Sequence, residues 1–414
     1  MTLDINRLIT LYGTEELAAK QAERIEKQVR AFEERFGGSE GISIVSAPGR
    51  TEIAGNHTDH NLGCVLAAAV NLDTVAVVRP TGDDTVTLYS EGYDKPFVID
   101  ISDTAIREDE RETTDSLIRG VAAILRENGY VSGGYQAYVT STVLRGSGLS
   151  SSAAFEVMLI AVSDCLFNGW TIDHKLNAKI AQQVENRYFG KPCGLMDQMA
   201  SAVGGLVYID FDKPGAQVEA INYDFRAKGY QLMVAAVGGE HGNLTAEYAA
   251  IPNEMKAVAA ALGRDVLAHI PQDGFLGLIP SLKGKVSDRA ILRAMHFVGE
   301  TARVKEMAAA LKNDDTDAFL GGIIASGESS WKLLQNLYVP ASDNQEMPLA
   351  LAVSEKLLSG KGAWRIHGGG FAGTILAFVP LDMTDEYVAV MDGIFGKGAC
   401  TPLNVRPEGA AIIL

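Results

Sequence analysis

Residues 145–158 read RGSGLSSSAAFEVM, and their context decides how the chain is built. A β-branched, apolar run at 135–144 leads in, and a helical pattern over about 152–167 leads out, so the stretch is a strand-to-helix turn. Gly146 and Gly148 let backbone approach a ligand closely. The free amides of the helix N-terminus, with serine hydroxyls beside them, then form a site for an anion such as phosphate. The plainer reading is a serine-capped helix after a flexible turn. Two familiar phosphate loops are excluded. A dinucleotide fingerprint needs a third glycine where Ser151 stands and a strand after the helix, but a second helical pattern follows at 174–188. A P-loop ends in Gly-Lys-Ser/Thr, a string the chain lacks.

Outward from this turn, apolar residues at Ala22, Ile25, Val29, Phe32 and Phe36 mark one face of a helix over 15–36. Strands are predicted at 42–47, 64–70, 74–79 and 85–89, a helix at 115–128, and strands at 205–211 and 230–237. After Gly239 the pattern is mainly helical to 359, and strands return at AWRI and TILAFV. The 414 residues exceed what one core usually serves, so two domains are expected, 1–211 and 212–414, divided beside DKPG. Four cysteines without CxxC spacing indicate neither a disulfide framework nor a structural zinc site. A net charge of −16 with no basic cluster argues against a nucleic-acid partner. No run approaches the ~20 uninterrupted apolar residues of a membrane span, and no secretory signal is visible, so a cytoplasmic protein without a membrane partner is expected.

Three other stretches carry chemistry. GRTEIAGNHTDHNLG (49–63) reads as a polar insert between buried elements. Its His57, Asp59 and His60 resemble part of an HxHxDH metal run, but position 55 is glycine and the other histidines form no paired motif. Hydroxyl binding is the preferred reading. YFGKPCGLMDQMASAVGG (188–205) sets Asp197 ahead of a helical turn, as an N-cap or as a functional carboxylate. RIHGGGFAGTILAFV (365–379) puts three glycines between strands, as a tight hairpin or as backbone abutting a ligand.

Taken together and in this order, PGR…GNHTDH, GSGLSSSAA and HGGGFAG resemble the three signature motifs of the GHMP small-molecule kinases, and in detail the chain is similar to the galactokinase family. The resemblance implies an α+β, two-domain GHMP kinase fold, with a left-handed βαβ crossover in the N-terminal domain and a ferredoxin-like C-terminal domain. It implies that Gly146, Ser147, Gly148, Leu149, Ser150, Ser151 and Ser152 cradle ATP phosphates, and that Ser152 and Glu185 hold Mg²⁺. Asp197 matches the carboxylate facing the anomeric hydroxyl, and Arg50 the cation beside it. A hydroxyl is a poor nucleophile at neutral pH, so an acceptor for its proton and a cation for the developing alkoxide are chemically sensible. Neither residue is expected to contribute much to the core. Asn56, His57, Asp59, Tyr248, Gly369 and Gly370 match the sugar-binding side. Three departures stand out: Glu52 and Asn56 exchange the family's asparagine and glutamate, His60 replaces a tyrosine, and Ile251-Pro252 replaces an arginine pair. The implied activity is ATP-dependent phosphorylation of a hexose at C1, with galactose as first choice. Galacturonate or N-acetylgalactosamine, and a non-catalytic sugar sensor, are the alternatives.

Overall fold

The computed structural model describes residues 3–143, 148–191, 193–238, 244–339, 342–371 and 373–414. Twelve strands are described: β1 (Ser43–Ala54), β2 (Cys64–Pro80), β3 (Thr85–Ser90), β4 (Phe97–Asp100), β5 (Tyr135–Ser141), β6 (Leu206–Asp210), β7 (Gln217–Ile221), β8 (Tyr230–Gly238), β9 (Ala363–His367), β10 (Gly373–Pro380), β11 (Cys400–Leu403) and β12 (Ala411–Ile412). The larger sheet runs β12-β1-β2-β5-β3-β4, with β6 pairing β2 and β7 pairing β6. Among the described residues only β3 and β5 pair in parallel in this sheet, and a parallel pair needs a crossover, made here by β4 and the helix Thr114–Glu127. The smaller sheet, β11-β8-β10-β9, is antiparallel throughout.

Side-chain alternation along β10 joins the two sheets. Ile375, Ala377 and Val379 pack with Met347, Leu351 and Tyr387 of the helices Glu346–Leu358 and Thr384–Phe395. Leu376 and Phe378 face the other way, into a cluster with Ile53, Leu66 and Ala68 of β1 and β2 and with Phe319 of the helix Thr316–Ser329. The helix Ser151–Ser163 lies in the largest cluster and is apolar nearly all round. The window Ser151–Asn168 is long and apolar enough to cross a membrane, with mean hydropathy 1.3, but 61% of it is buried inside the protein, as in a core helix.

The structure departs from the sequence reading in three places. β1 continues through Arg50, Thr51 and Glu52, so half of the stretch read as a polar insert is strand; it pairs with Ala67, Ala68 and Ala69, whose small side chains admit it. β2 is one strand of 17 residues where two runs were expected, because Asp73 interrupts the apolar pattern without leaving the interior. Tyr12 and Ser46 donate to Asp73, at 2.6 and 2.5 Å, and Arg24 and Arg406 pair with it at 2.7 and 3.1 Å. Finally, β7 and β12, both beyond residue 211, belong to the larger sheet.

Candidate active site

The site is built where β1 passes the N-terminus of the core helix. Register shifts between Pro48 and Arg50, and again between Glu52 and Ala54, bracket the two charged residues and re-aim their side chains. Arg50 is 6% exposed. Its Nε and Nη2 donate to the two oxygens of Asp197, both at 2.7 Å, and Nη1 donates to the Gly148 carbonyl. Asp197 stands in the first turn of the helix Met196–Val203, whose N-cap is Leu195. The capping reading is therefore set aside: its oxygens serve Arg50 and the Ser150 hydroxyl, which donates at 2.7 Å. Burial pushes Asp197 up, but Arg50 and then the Ser150 hydrogen bond outweigh it and hold the carboxyl below its ordinary range. The expectation that this pair adds little to the core fails, because Arg50 is buried against its counter-ion.

Ser150 is the N-cap of the helix Ser151–Ser163, in left-handed conformation (φ 57°), and makes no side-chain cap bond. Its hydroxyl goes to Asp197, which leaves the helix amides for a ligand. Leu149 turns its carbonyl back to the Arg50 amide at 3.0 Å. Gly146 and Ser147 lie outside the described residues.

Glu185 begins a π-helical turn, Glu185–Phe189, at the end of the helix His174–Val184. The Gln198 amide bridges it to a second buried carboxylate, donating to Glu185 Oε2 at 2.8 Å and to Glu156 Oε2 at 3.2 Å. Burial pushes both carboxyls up, and in Glu156 the Glu185 charge adds to it. Glu156 Oε1 and Gln198 Oε1 have no hydrogen-bond partner among the described residues. Two buried carboxylates joined by one amide, with oxygen left over, fit a hard divalent cation beside Ser152.

Asn56, after the turn at Gly55, is fully buried. Its amide donates to Glu52 Oε1 at 3.0 Å and to the Gly368 carbonyl at 2.7 Å, and Asn336 donates to its oxygen at 2.8 Å. Glu52 also receives Arg365 Nη2 at 2.8 Å, an ion pair whose side chains are 0% exposed on Arg365 and 3% on Glu52. The exchanged residues therefore touch. His57 meets the Gly369 carbonyl through Nε2 at 2.9 Å; a carbonyl only accepts, so His57 carries its proton there and offers Nδ1 to His60 Nε2 at 3.3 Å. His60 in turn accepts from Asn61 at 3.0 Å. Burial lowers both histidines, consistent with neutral rings. Burial, then the charge of Asp197, pushes half-buried Asp59 up to about 7. The Asp59 carboxylate lies where a Cβ on Gly194 would stand.

Arg50, Asn56, His57, Asp59, Asp197 and Gly369 line one cavity of 220 Å³, together with Ser152 and Glu185. Tyr248 and Gly370 are not among its lining residues; the Tyr248 hydroxyl donates to the Gly370 carbonyl at 2.8 Å. The triple-glycine stretch is thus no remote hairpin. A second cavity, 480 Å³, is lined by Tyr93, Phe97, Val139, Ser151 and Phe155 among others, and Ser152 lines both. Sequence reasoning passed over Lys191, Gln198, Glu156 and Arg365. Lys191 and Gln198 flank Asp197 within a quoted stretch, while Arg365 could have been flagged as a charge inside an apolar strand.

The family profile of the galactokinase galactose-binding signature matches residues 30–80, and that of the GHMP kinases N terminal domain matches 116–205. Among solved structures, Lactococcus lactis galactokinase complexed with galactose has a TM-score of 0.83 at 21% identity, over 94% of this chain and 100% of that one. Methanococcus jannaschii mevalonate kinase has a TM-score of 0.62 at 14% identity, over 87% and 98%. These two establish the fold. The galactokinase of Streptomyces coelicolor is 32% identical over 380 residues, 90% of this chain and 93% of that one. With both signature regions matched and the likeness running nearly end to end, the chain belongs to the galactokinase family of GHMP kinases.

Proposed function

We propose that this chain transfers the γ-phosphoryl group of ATP to the anomeric hydroxyl of galactose, forming galactose 1-phosphate and ADP. The observation that carries the reading is the bidentate Arg50–Asp197 pair, held by Ser150 at the N-terminus of the core helix and lining the smaller cavity. Galactose as acceptor is supported by family membership. ATP is supported by the larger, aromatic-walled cavity that meets the smaller at Ser152. The cytoplasm as its compartment is supported by the four cysteines, all free thiols.

In this reading the nucleotide occupies the larger cavity, and the amides of residues 146–152 receive its phosphates. The sugar occupies the smaller cavity, with His57 and Asp59 toward its hydroxyls and the Gly368–Gly369 backbone closing one side. Residues 1–211 thus supply most of the machinery, and 212–414 supply the glycine loop and Tyr248. Asp197, held below the usual carboxylate range, is a weak base. It orients the anomeric O–H and takes the proton late, once the oxygen–phosphorus bond has begun to form and the hydroxyl has become acidic. Arg50 keeps Asp197 ionised and balances charge at the attacking oxygen. Ser152 and Glu185, with Glu156 behind, would hold Mg²⁺, whose chemistry there is to neutralise phosphate charge during transfer.

The test is ADP release across a panel of hexoses and uronic acids, with NMR location of the phosphate on the product. Galactose is expected to turn over with phosphate at C1. Asp197→Asn is expected to lose about 10²–10⁴-fold in kcat while still binding ATP. It is also expected to melt earlier, since it leaves the buried Arg50 without its counter-ion. Near-normal turnover in Asp197→Asn would refute the assignment.

A further inference from the structure

We propose that Lys191 is a further catalytic residue, whose ammonium meets the phosphoryl group as it passes between nucleotide and sugar. The inference rests on the galactokinase reading and adds a residue to it.

Among the described residues, the cavity that holds Arg50 and Asp197 is lined by one arginine and one lysine, Arg50 and Lys191. Arg50 is committed: three of its nitrogens are engaged by Asp197 and the Gly148 carbonyl. Lys191 is not. Its backbone amide is anchored to the Glu185 carbonyl at 3.2 Å, so the residue is fixed at the π-helical turn. Its ammonium stands 3.9 Å from Glu185 Oε1, beyond hydrogen-bond reach, and its side chain is 64% exposed. A lysine tethered by its main chain at the cavity wall, with its head in loose ion pairing, can turn to a stronger anion when one arrives.

Its place between the other groups makes that anion the transferring phosphoryl. Lys191 lines the same cavity as Arg50 and Asp197, the groups assigned to the acceptor hydroxyl, and as Ser152 and Glu185, the groups assigned to the cation. In the proposed reading the phosphoryl group passes from the second set of groups to the first. Four acidic side chains line this cavity, Glu52, Asp59, Glu185 and Asp197, and Arg50 is already held by Asp197, so a phosphoryl group arriving at the acceptor gains from a further cation there. In the step itself the anomeric oxygen forms a bond to the γ-phosphorus, and its proton passes to Asp197. The bond from phosphorus to the β–γ bridging oxygen breaks, its electron pair leaving with ADP. Charge spreads over the equatorial and leaving oxygens, and a mobile ammonium stabilises it there. The lysine that a P-loop would carry in its own turn is here supplied from residue 191.

The experiment uses the full chain with Lys191→Met, which keeps the length of the side chain and removes its charge, and Lys191→Arg, which restores a cation. Lys191→Met is expected to lose about 10²–10³-fold in kcat, with the KM for galactose little changed and the melting curve intact, because the head is exposed. Lys191→Arg is expected to recover part of that loss. A second readout isolates the transition state: with galactose and Mg²⁺ present, affinity for ADP plus aluminium fluoride should fall in Lys191→Met by the same factor as kcat, while affinity for ADP alone is retained. A kcat near that of the unaltered protein, or a loss confined to KM, overturns the inference and leaves the galactokinase reading standing. If Lys191→Met melts early, the comparison passes to Lys191→Arg and Lys191→Gln, and equal kcat in those two overturns it. Absence of turnover on galactose by the unaltered protein overturns the functional reading, and this inference with it.

Discussion

Exchanging Glu52 and Asn56 tests whether the two act as one unit. In Glu52→Asn, Arg365 loses its carboxylate partner while remaining 0% exposed, and leaving a buried charge uncompensated costs about 3–5 kcal/mol. In Asn56→Glu, a carboxylate replaces the amide that donates to Glu52 Oε1 at 3.0 Å and to the Gly368 carbonyl at 2.7 Å, setting like charges together out of water. That single change should cost a similar amount. In the double variant the new amide at position 52 can donate to the new carboxylate at position 56 and accept from Arg365. That carboxylate still receives the Asn336 amide, which in the unaltered protein donates to Asn56 at 2.8 Å. What remains unmet is the Gly368 carbonyl, a cost of about 1–3 kcal/mol for a buried acceptor. The double variant should therefore be more stable than either single one. On these figures the coupling is about 3 kcal/mol or more, at or above the top of the about 0.5–3 kcal/mol typical of residues in contact. Urea unfolding of the four proteins measures it, and the KM for galactose in the same four reports whether the sugar senses the exchange. If the double variant loses the sum of the two single losses, the positions are uncoupled and the reasoning is wrong.

Three further outcomes are expected. With Asp59 pushed up to about 7, chiefly by burial, raising the pH through that value turns it from a neutral acid into a carboxylate that accepts hydrogen bonds from sugar hydroxyls. The KM for galactose should accordingly fall as pH rises and sugar binding should release protons; a KM equally flat in the unaltered protein and in Asp59→Asn would count against this. Gly194→Ala places a methyl group on the Asp59 carboxylate, so it should raise the KM for galactose with little change in the KM for ATP, and steady-state kinetics that move both alike would remove the claim. Ser150→Gly and Ser150→Ala both lose the hydroxyl that serves Asp197 and should both lose turnover, but only glycine relieves the positive φ. Thermal or urea unfolding should find the glycine variant about 1–2 kcal/mol the more stable of the two.

The parts of this protein that could be read from its sequence are those whose partners are close in the chain. The strand-to-helix turn at 145–158 declares itself because both flanks carry their own periodicity. The contact between Glu52 and Asn56 was within reach because four residues separate them. What escaped lies where a charge sits inside a strand. Arg50 and Glu52 made β1 look finished at residue 47, Asp73 split β2 in two, and Arg365 was passed over within β9. Each of these charges is answered from far away: Arg50 by Asp197, Asp73 by Arg24 and Arg406, and Arg365 by Glu52, 313 residues earlier. An isolated strand cannot bury such groups, and only the finished fold supplies the counter-charges. Local pattern therefore fails where a charge is buried inside a strand. A charge that interrupts a strand is a pointer to a long-range partner, and in this chain two of those three pairs line or adjoin the site.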